Sequence, residues 1–175
     1  MNQMDEDAFW ALLEEARADA ADVDDLPDAL TDLLVERPQE QVLAAKITYE
    51  KLSAAANRWD LWGAAYVAMG GCSDDAFDYF RAWLVGAGRR VYELVLAEPD
   101  QLAGVLVDDD EELELESLAY SFDAAWEELT GDELIPEELL VGAPGYQEPA
   151  GEDWDFEDDE EMARRYPRLW ARLHA

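Results

Sequence analysis

Apolar residues recur along most of this chain at the spacing of an α-helix. Phe9, Leu12, Leu13 and Ala16 form an i, i+3, i+4, i+7 stripe, and Asp5, Glu6 and Asp7 ahead of it suit the positive end of a helix dipole. Asp25-Leu26-Pro27 predicts a second start with Pro27 in the first turn, running to about Arg37. Pro38 opens a third helix carrying Val42, Leu43, Ile47 and Leu52. Residues 59–69 read as a fourth, stopped by Gly70-Gly71. Ser73 is a candidate N-cap for a fifth, with Phe77, Phe80 and Leu84 on one face and Asp74 and Asp75 at its start. Gly86 and Gly88 loosen or break the chain before a sixth helix over 89–97, which Glu98-Pro99 ends.

The pattern then changes. Residues 108–112 are an unbroken acidic run, read as a solvated loop or a helix start. Leu115, Leu118, Ala119, Phe122 and Trp126 restore a helical stripe as far as Thr130-Gly131. Residues 142–155 are rich in Gly and Pro and lack a period, which predicts irregular chain, with Trp154 and Phe156 able to dock back on the body. Residues 157–175 read as a closing helix with basic last turns, kinked or divided by Pro167. No run alternates as a strand would, and Ile-Val pairs are scarce. The expectation is an all-α protein: a single compact helical domain of about six to eight helices. Its core would occupy 5–130, and 131–175 would form an acidic, partly irregular extension with a C-terminal helix.

Composition supports a folded body and adds an unusual charge. In 175 residues, 50% are hydrophobic, with seven Trp, seven Tyr and five Phe, enough for a large core. Forty-four acids against twelve bases give a formal net charge of -32. Such a charge argues against direct binding to nucleic acid or an anionic membrane, both of which need clustered Lys and Arg. The N-terminus lacks a basic region followed by an apolar run, and no apolar stretch approaches the roughly 18 residues of a membrane span. A cytoplasmic protein is expected. The charge is uneven: 44–97 is neutral, 1–43 carries -11, 98–161 carries -25 without one base, and the last fourteen residues carry +4.

The residue inventory excludes much chemistry. His174 is the only histidine and Cys72 the only cysteine, so no Ser-His-Asp or Cys-His centre, no Cys/His zinc site and no intramolecular disulfide can be built. Phosphate-binding glycine motifs and EF-hand loops are absent. No catalytic residue, metal ligand or cofactor is assigned, and the sequence leans against an enzyme without settling the question. The densest constellation is Trp59-Asp60-Leu61-Trp62 followed by residues 70–84. Within it Asp74 and Asp78 fall at i, i+4, and Asp78 meets Arg81 at i+3. Trp59, Asp60, Trp62, Asp74, Asp75, Asp78 and Arg81 are the candidate ligand-binding residues. A carboxylate pair beside one Arg among aromatic rings suits a small polar pocket, but an ion pair inside a helical core is the preferred reading of these residues. Cys72 reads as a small core residue, since no internal His could serve it as a base.

On three stretches the chain resembles a bacterial family, domain of unknown function 4240. They are Asp5-Glu6-Asp7-Ala8-Phe9-Trp10, Trp59-Asp60-Leu61-Trp62, and residues 70–84 with Asp78-Tyr79-Phe80-Arg81 at their centre. Gly88, Arg89, Val91, Tyr92 and the Pro99-Asp100 pair continue the likeness, which covers about 5–130. The resemblance implies a shared helical fold and no activity. Three functions stay open: an interaction module for a basic protein, in its sharper form a mimic of nucleic acid; a small-molecule-binding protein or unrecognised enzyme centred on Trp62, Asp74, Asp78 and Arg81; or acidity that serves salt tolerance or solubility alone. The first is preferred. Oligomeric state is not legible.

Overall fold

Helix ends follow the capping chemistry of the sequence closely. A computed structural model describes residues 4–109 and 111–175; residues 1–3 of the N-terminus and Asp110 within the acidic run lie outside the described residues. Helix α1 (Glu6–Asp19) is capped by Asp5, whose carboxylate accepts the Ala8 N–H at 2.8 Å. Helix α2 (Leu26–Val35) carries Pro27 in its first turn, and α3 (Gln39–Ala55) begins directly after Pro38. Helix α4 (Trp59–Met69) ends at Gly70, which takes the left-handed conformation (φ 67°) of a helix C-terminus. Ser73 caps α5 (Asp74–Gly86) through the Ala76 N–H, and α6 (Arg89–Ala97) follows. Helix α7 (Glu116–Thr130) completes the body. Pro167 does divide the closing segment, giving α8 (Asp159–Arg165) and α9 (Pro167–Leu173).

Helix α7 is the central element, flanked by α2, α3 and α5, with α1 lying against α2 and α3. The stripe Phe9, Leu12, Leu13 and Ala16 is buried, as are Phe77, Phe80, Leu84, Leu118 and Phe122. Each such Leu or Phe contributes roughly 1.5–3 kcal/mol of burial. The architecture is all-α, and among the described residues the one extended pairing is an isolated parallel bridge between Arg58 and Ala150.

The segment after α7 returns to the body instead of trailing from it. Met162, Tyr166 and Leu169 enter the same buried cluster as the earlier helices. The Asp100 carboxylate, buried in the 3₁₀ turn Pro99–Gly104, accepts the N–H groups of Arg168 at 3.0 Å and Leu169 at 3.0 Å, holding the start of α9. Arg172 donates to the Ala103 carbonyl at 2.6 Å and to Asp109 at 2.8 Å. Between Thr130 and α8 the chain is mostly irregular, interrupted by the short 3₁₀ turn Glu137–Leu139. Its residues 144–150 cross the α3–α4 junction as a strap. There the Asn57 side chain donates to the Gln147 carbonyl at 2.8 Å, Ala150 N–H to Asn57 O at 2.9 Å, and Trp59 N–H to Ala150 O at 3.0 Å.

Candidate functional site

The strap closes one side of a cleft of about 480 Å³, within the range of ligand pockets. Its other walls are the end of α3 (Glu50, Ser53, Ala54) with Asn57 just beyond it, the start of α4 (Trp59, Trp62) and the first turns of α5 (Asp74, Asp75, Phe77, Asp78, Arg81). Six of the seven sequence candidates therefore surround one space. Asp60 does not line it. The Asp60 carboxylate is engaged with Arg58 at 2.6 Å, and its carbonyl accepts the Tyr166 hydroxyl, so it fastens α4 to the extension.

The aromatic wall is a stack. Trp59 and Trp62, one turn apart on α4, lie parallel at 5.2 Å between centroids, and Trp62 lies parallel to Phe77 of α5 at 5.0 Å. The series continues inward through Phe80 and Trp83. Trp62 Nε1 donates to the Cys72 carbonyl at 2.9 Å, which fixes the ring against the α4–α5 turn. Phe156 meets Trp59 and Trp62 edge-on, each at 6.2 Å. Offset and edge-to-face contacts are the favoured geometries for aromatic pairs. The wall is thus held from both sides before any ligand arrives.

Five carboxylates line the cleft, Glu50, Asp74, Asp75, Asp78 and Glu148, against a single base, Arg81. That base is already engaged. Its guanidinium donates to the Ser53 carbonyl at 3.0 Å and to Asp78, and lies 5.2 Å from the Phe77 ring centroid. The Arg81 side chain is 14% exposed and the Asp78 side chain 61%. The pair is neither a ligand-ready arginine nor a buried ion pair: a sunken guanidinium ties α5 to α3 while its carboxylate partner stands at the mouth. Glu50 pairs with Lys46 at 2.8 Å. Among the described residues, Asp74, Asp75 and Glu148 enter no ion pair. Nor, among those residues, do three carboxylates, Cys or His converge where they could hold a metal ion; the acids ring the mouth.

The strap supplies residues that sequence reasoning missed: Tyr146, Gln147 and Glu148. Tyr146 is 89% exposed at the rim, and its hydroxyl donates to Glu148 at 3.2 Å. That bond, with the charge of Glu148 and then of Asp74 and Asp78 across the cleft, pushes its hydroxyl pKa up. The Gly- and Pro-rich run 142–155 reads as irregular chain from its sequence, but nothing in it says where it packs. Cys72 is half-buried beneath this wall, and desolvation, with Glu114 adding, pushes its thiol up to about 12. Burial outweighs the nearby helix N-terminus, so the thiol stays protonated.

The chain belongs to the family of proteins of unknown function DUF4240, whose pattern matches residues 4–128. The match contains every cleft residue of α3, α4 and α5 and stops short of the strap. Neither a curated protein nor a solved structure matches the chain. Among the described residues, no helix is long and apolar enough to cross a membrane.

Proposed function

We propose, from a site that its family leaves without an assigned activity, that this protein is a non-enzymatic interaction module that binds a basic partner. The observation that carries the reading is the cleft: five carboxylates, one arginine already spent on α3 and α5, and a preformed aromatic wall. A Lys or Arg side chain entering it would exchange water for charge-assisted hydrogen bonds with Asp74 or Asp75 and for the face of an aromatic ring. The acidic surface over 98–161 adds a long-range field that speeds encounter with any basic protein.

The test is calorimetric titration of the whole protein with a capped tri-arginine peptide, at about 50 mM and about 300 mM NaCl. The reading expects saturable binding that weakens with salt. Asp74→Asn with Asp75→Asn should weaken it several-fold, while Glu137→Gln with Glu138→Gln, at residues that do not line the cleft, should leave it nearly unchanged. No saturable binding, or binding indifferent to salt, would overturn the module. A second reading, a small organic cation as the ligand, is favoured by the cleft volume of about 480 Å³. Spermidine in place of the peptide tests it with the same variants.

A further inference from the structure

We propose that the strap is the second lip of this cleft, that Tyr146 and Glu148 are its ligand-contacting residues, and that a seated alkylguanidinium or alkylammonium group draws it closed. The inference rests on the reading of the cleft as a cation site and adds which part of the chain selects and retains the cation.

Three observations carry it. First, the two lips repel. Asp74, Asp75 and Asp78 stand on α5, and Glu148 stands on the strap facing the same space. The Tyr146 hydroxyl, bonded to Glu148, lies close enough to feel the charges of Asp74 and Asp78. Like charges across a solvent gap hold such lips apart, and a cation between them turns that repulsion into attraction on both sides. Second, the strap is tied at one end. Its described hydrogen bonds to α3 and α4 all lie at Gln147 and Ala150, through Asn57 and Trp59. Upstream, Gly142 holds a left-handed φ of 91° and a Cβ on Gly142 or Gly145 would meet nothing within 4 Å, so the short arm between Leu140, packed on the body, and Gln147 borders open space. Third, Tyr146 exposes 89% of its surface although it borders the aromatic wall, and among the described residues it stacks on no other ring. A ring exposed at the rim, with its hydroxyl already held by a carboxylate, is placed to cover one face of a cation whose other face meets Trp59.

The strap lies outside the residues the family pattern matches. The floor of the cleft therefore belongs to the family portion, and the second lip to this chain's extension.

The experiment uses the full chain and the tri-arginine peptide. Tyr146→Ala should weaken binding about three- to tenfold, the range of a cation–π contact, and Tyr146→Phe should retain most of it. Glu148→Gln should weaken it several-fold. Amide hydrogen exchange at 145–148 should slow on peptide addition. Peptide binding that depends on Asp74 and Asp75 but is unchanged in Tyr146→Ala and Glu148→Gln, with exchange at 145–148 unaltered, overturns the closing strap and leaves the cation site standing. Absence of any saturable binding overturns both. Tyr146 and Glu148 are exposed, so these variants are expected to fold, and an unchanged melting temperature checks it.

Discussion

At the scale of single residues, Arg81 and Asp78 show how one ion pair can hold two unequal roles. Both lie in the most distinctive stretch of the sequence, and their spacing gave no means of separating a pocket from a core pair. Burial separates them. The Arg81 guanidinium satisfies the Ser53 carbonyl at the end of α3 and lies over the Phe77 ring. Arg81→Ala should therefore cost about 1–3 kcal/mol, through a lost bond to a half-buried carbonyl and lost packing. Asp78→Ala removes an exposed carboxylate and should change stability by less than about 0.5 kcal/mol. Chemical denaturation of the two variants measures the asymmetry, and equal losses would contradict it. Cys72 gives a second test at this scale. A thiol pushed up to about 12 gains thiolate roughly tenfold per pH unit throughout the usual range. Its alkylation by iodoacetamide should keep rising from pH 7 to pH 10 without the plateau near 9 expected of an exposed cysteine. A plateau there would mean that the Trp62–Cys72 wall opens in solution.

Elements were legible where periodicity and caps spoke together. Asp5, Pro27, Pro38, Gly70 and Ser73 each mark a helix end with a local physical cause, and α4 spans the residues that its flanking signals enclose. The walls of the cleft on α4 and α5 were legible for the same reason: one short turn joins them, so Trp62 and Phe77 had to come near each other. The third wall was not. The end of α3 joins α5 through the Arg81–Ser53 bond, and the strap reaches the site through contacts 90 residues apart, such as Asn57 with Gln147, and no periodicity encodes such meetings. The same holds for the docking of α8 and α9. Gly63, a residue without apparent significance in the sequence, leaves room for Tyr166 and Trp154: a Cβ there would clash with the Tyr166 hydroxyl and lie 2.7 Å from Trp154 Cζ2. Gly63→Ala should therefore loosen α8 and α9 and lower stability by about 1–3 kcal/mol despite the better helix propensity of Ala. Hydrogen exchange should locate the loss in 154–173 first. A stabilised Gly63→Ala variant would show that the extension is not held as described.

The scale of the whole molecule is where the net charge of -32 has to be reconciled with a folded body and a cation site. Arginine compensates locally: Arg89 with Asp7 and Glu93, Arg164 and Arg165 with Glu161, Arg172 with Asp109. Residues 98–161 have no base of their own, so their repulsion is met from outside, by the arginines at the end of α8 and on α9 and by solution ions. Two salt dependences of opposite sign follow. Screening relieves repulsion among the carboxylates, so the melting temperature should climb steeply between about 10 mM and 300 mM NaCl. It should then flatten near 1 M, where the screening length falls to about 3 Å. Screening also weakens the field that attracts a basic partner, so affinity for the tri-arginine peptide should fall over the same interval. The crossing of the two curves separates a charge that recruits a partner from a charge that serves tolerance of salt. If stability keeps climbing through several molar salt while peptide affinity is absent at 50 mM, the acidity belongs to the solvent environment and the cleft is not its purpose. If stability saturates and affinity is strongest where the fold is least stable, the repulsion is carried for the sake of the partner, whose binding at low salt should raise the melting temperature by mass action.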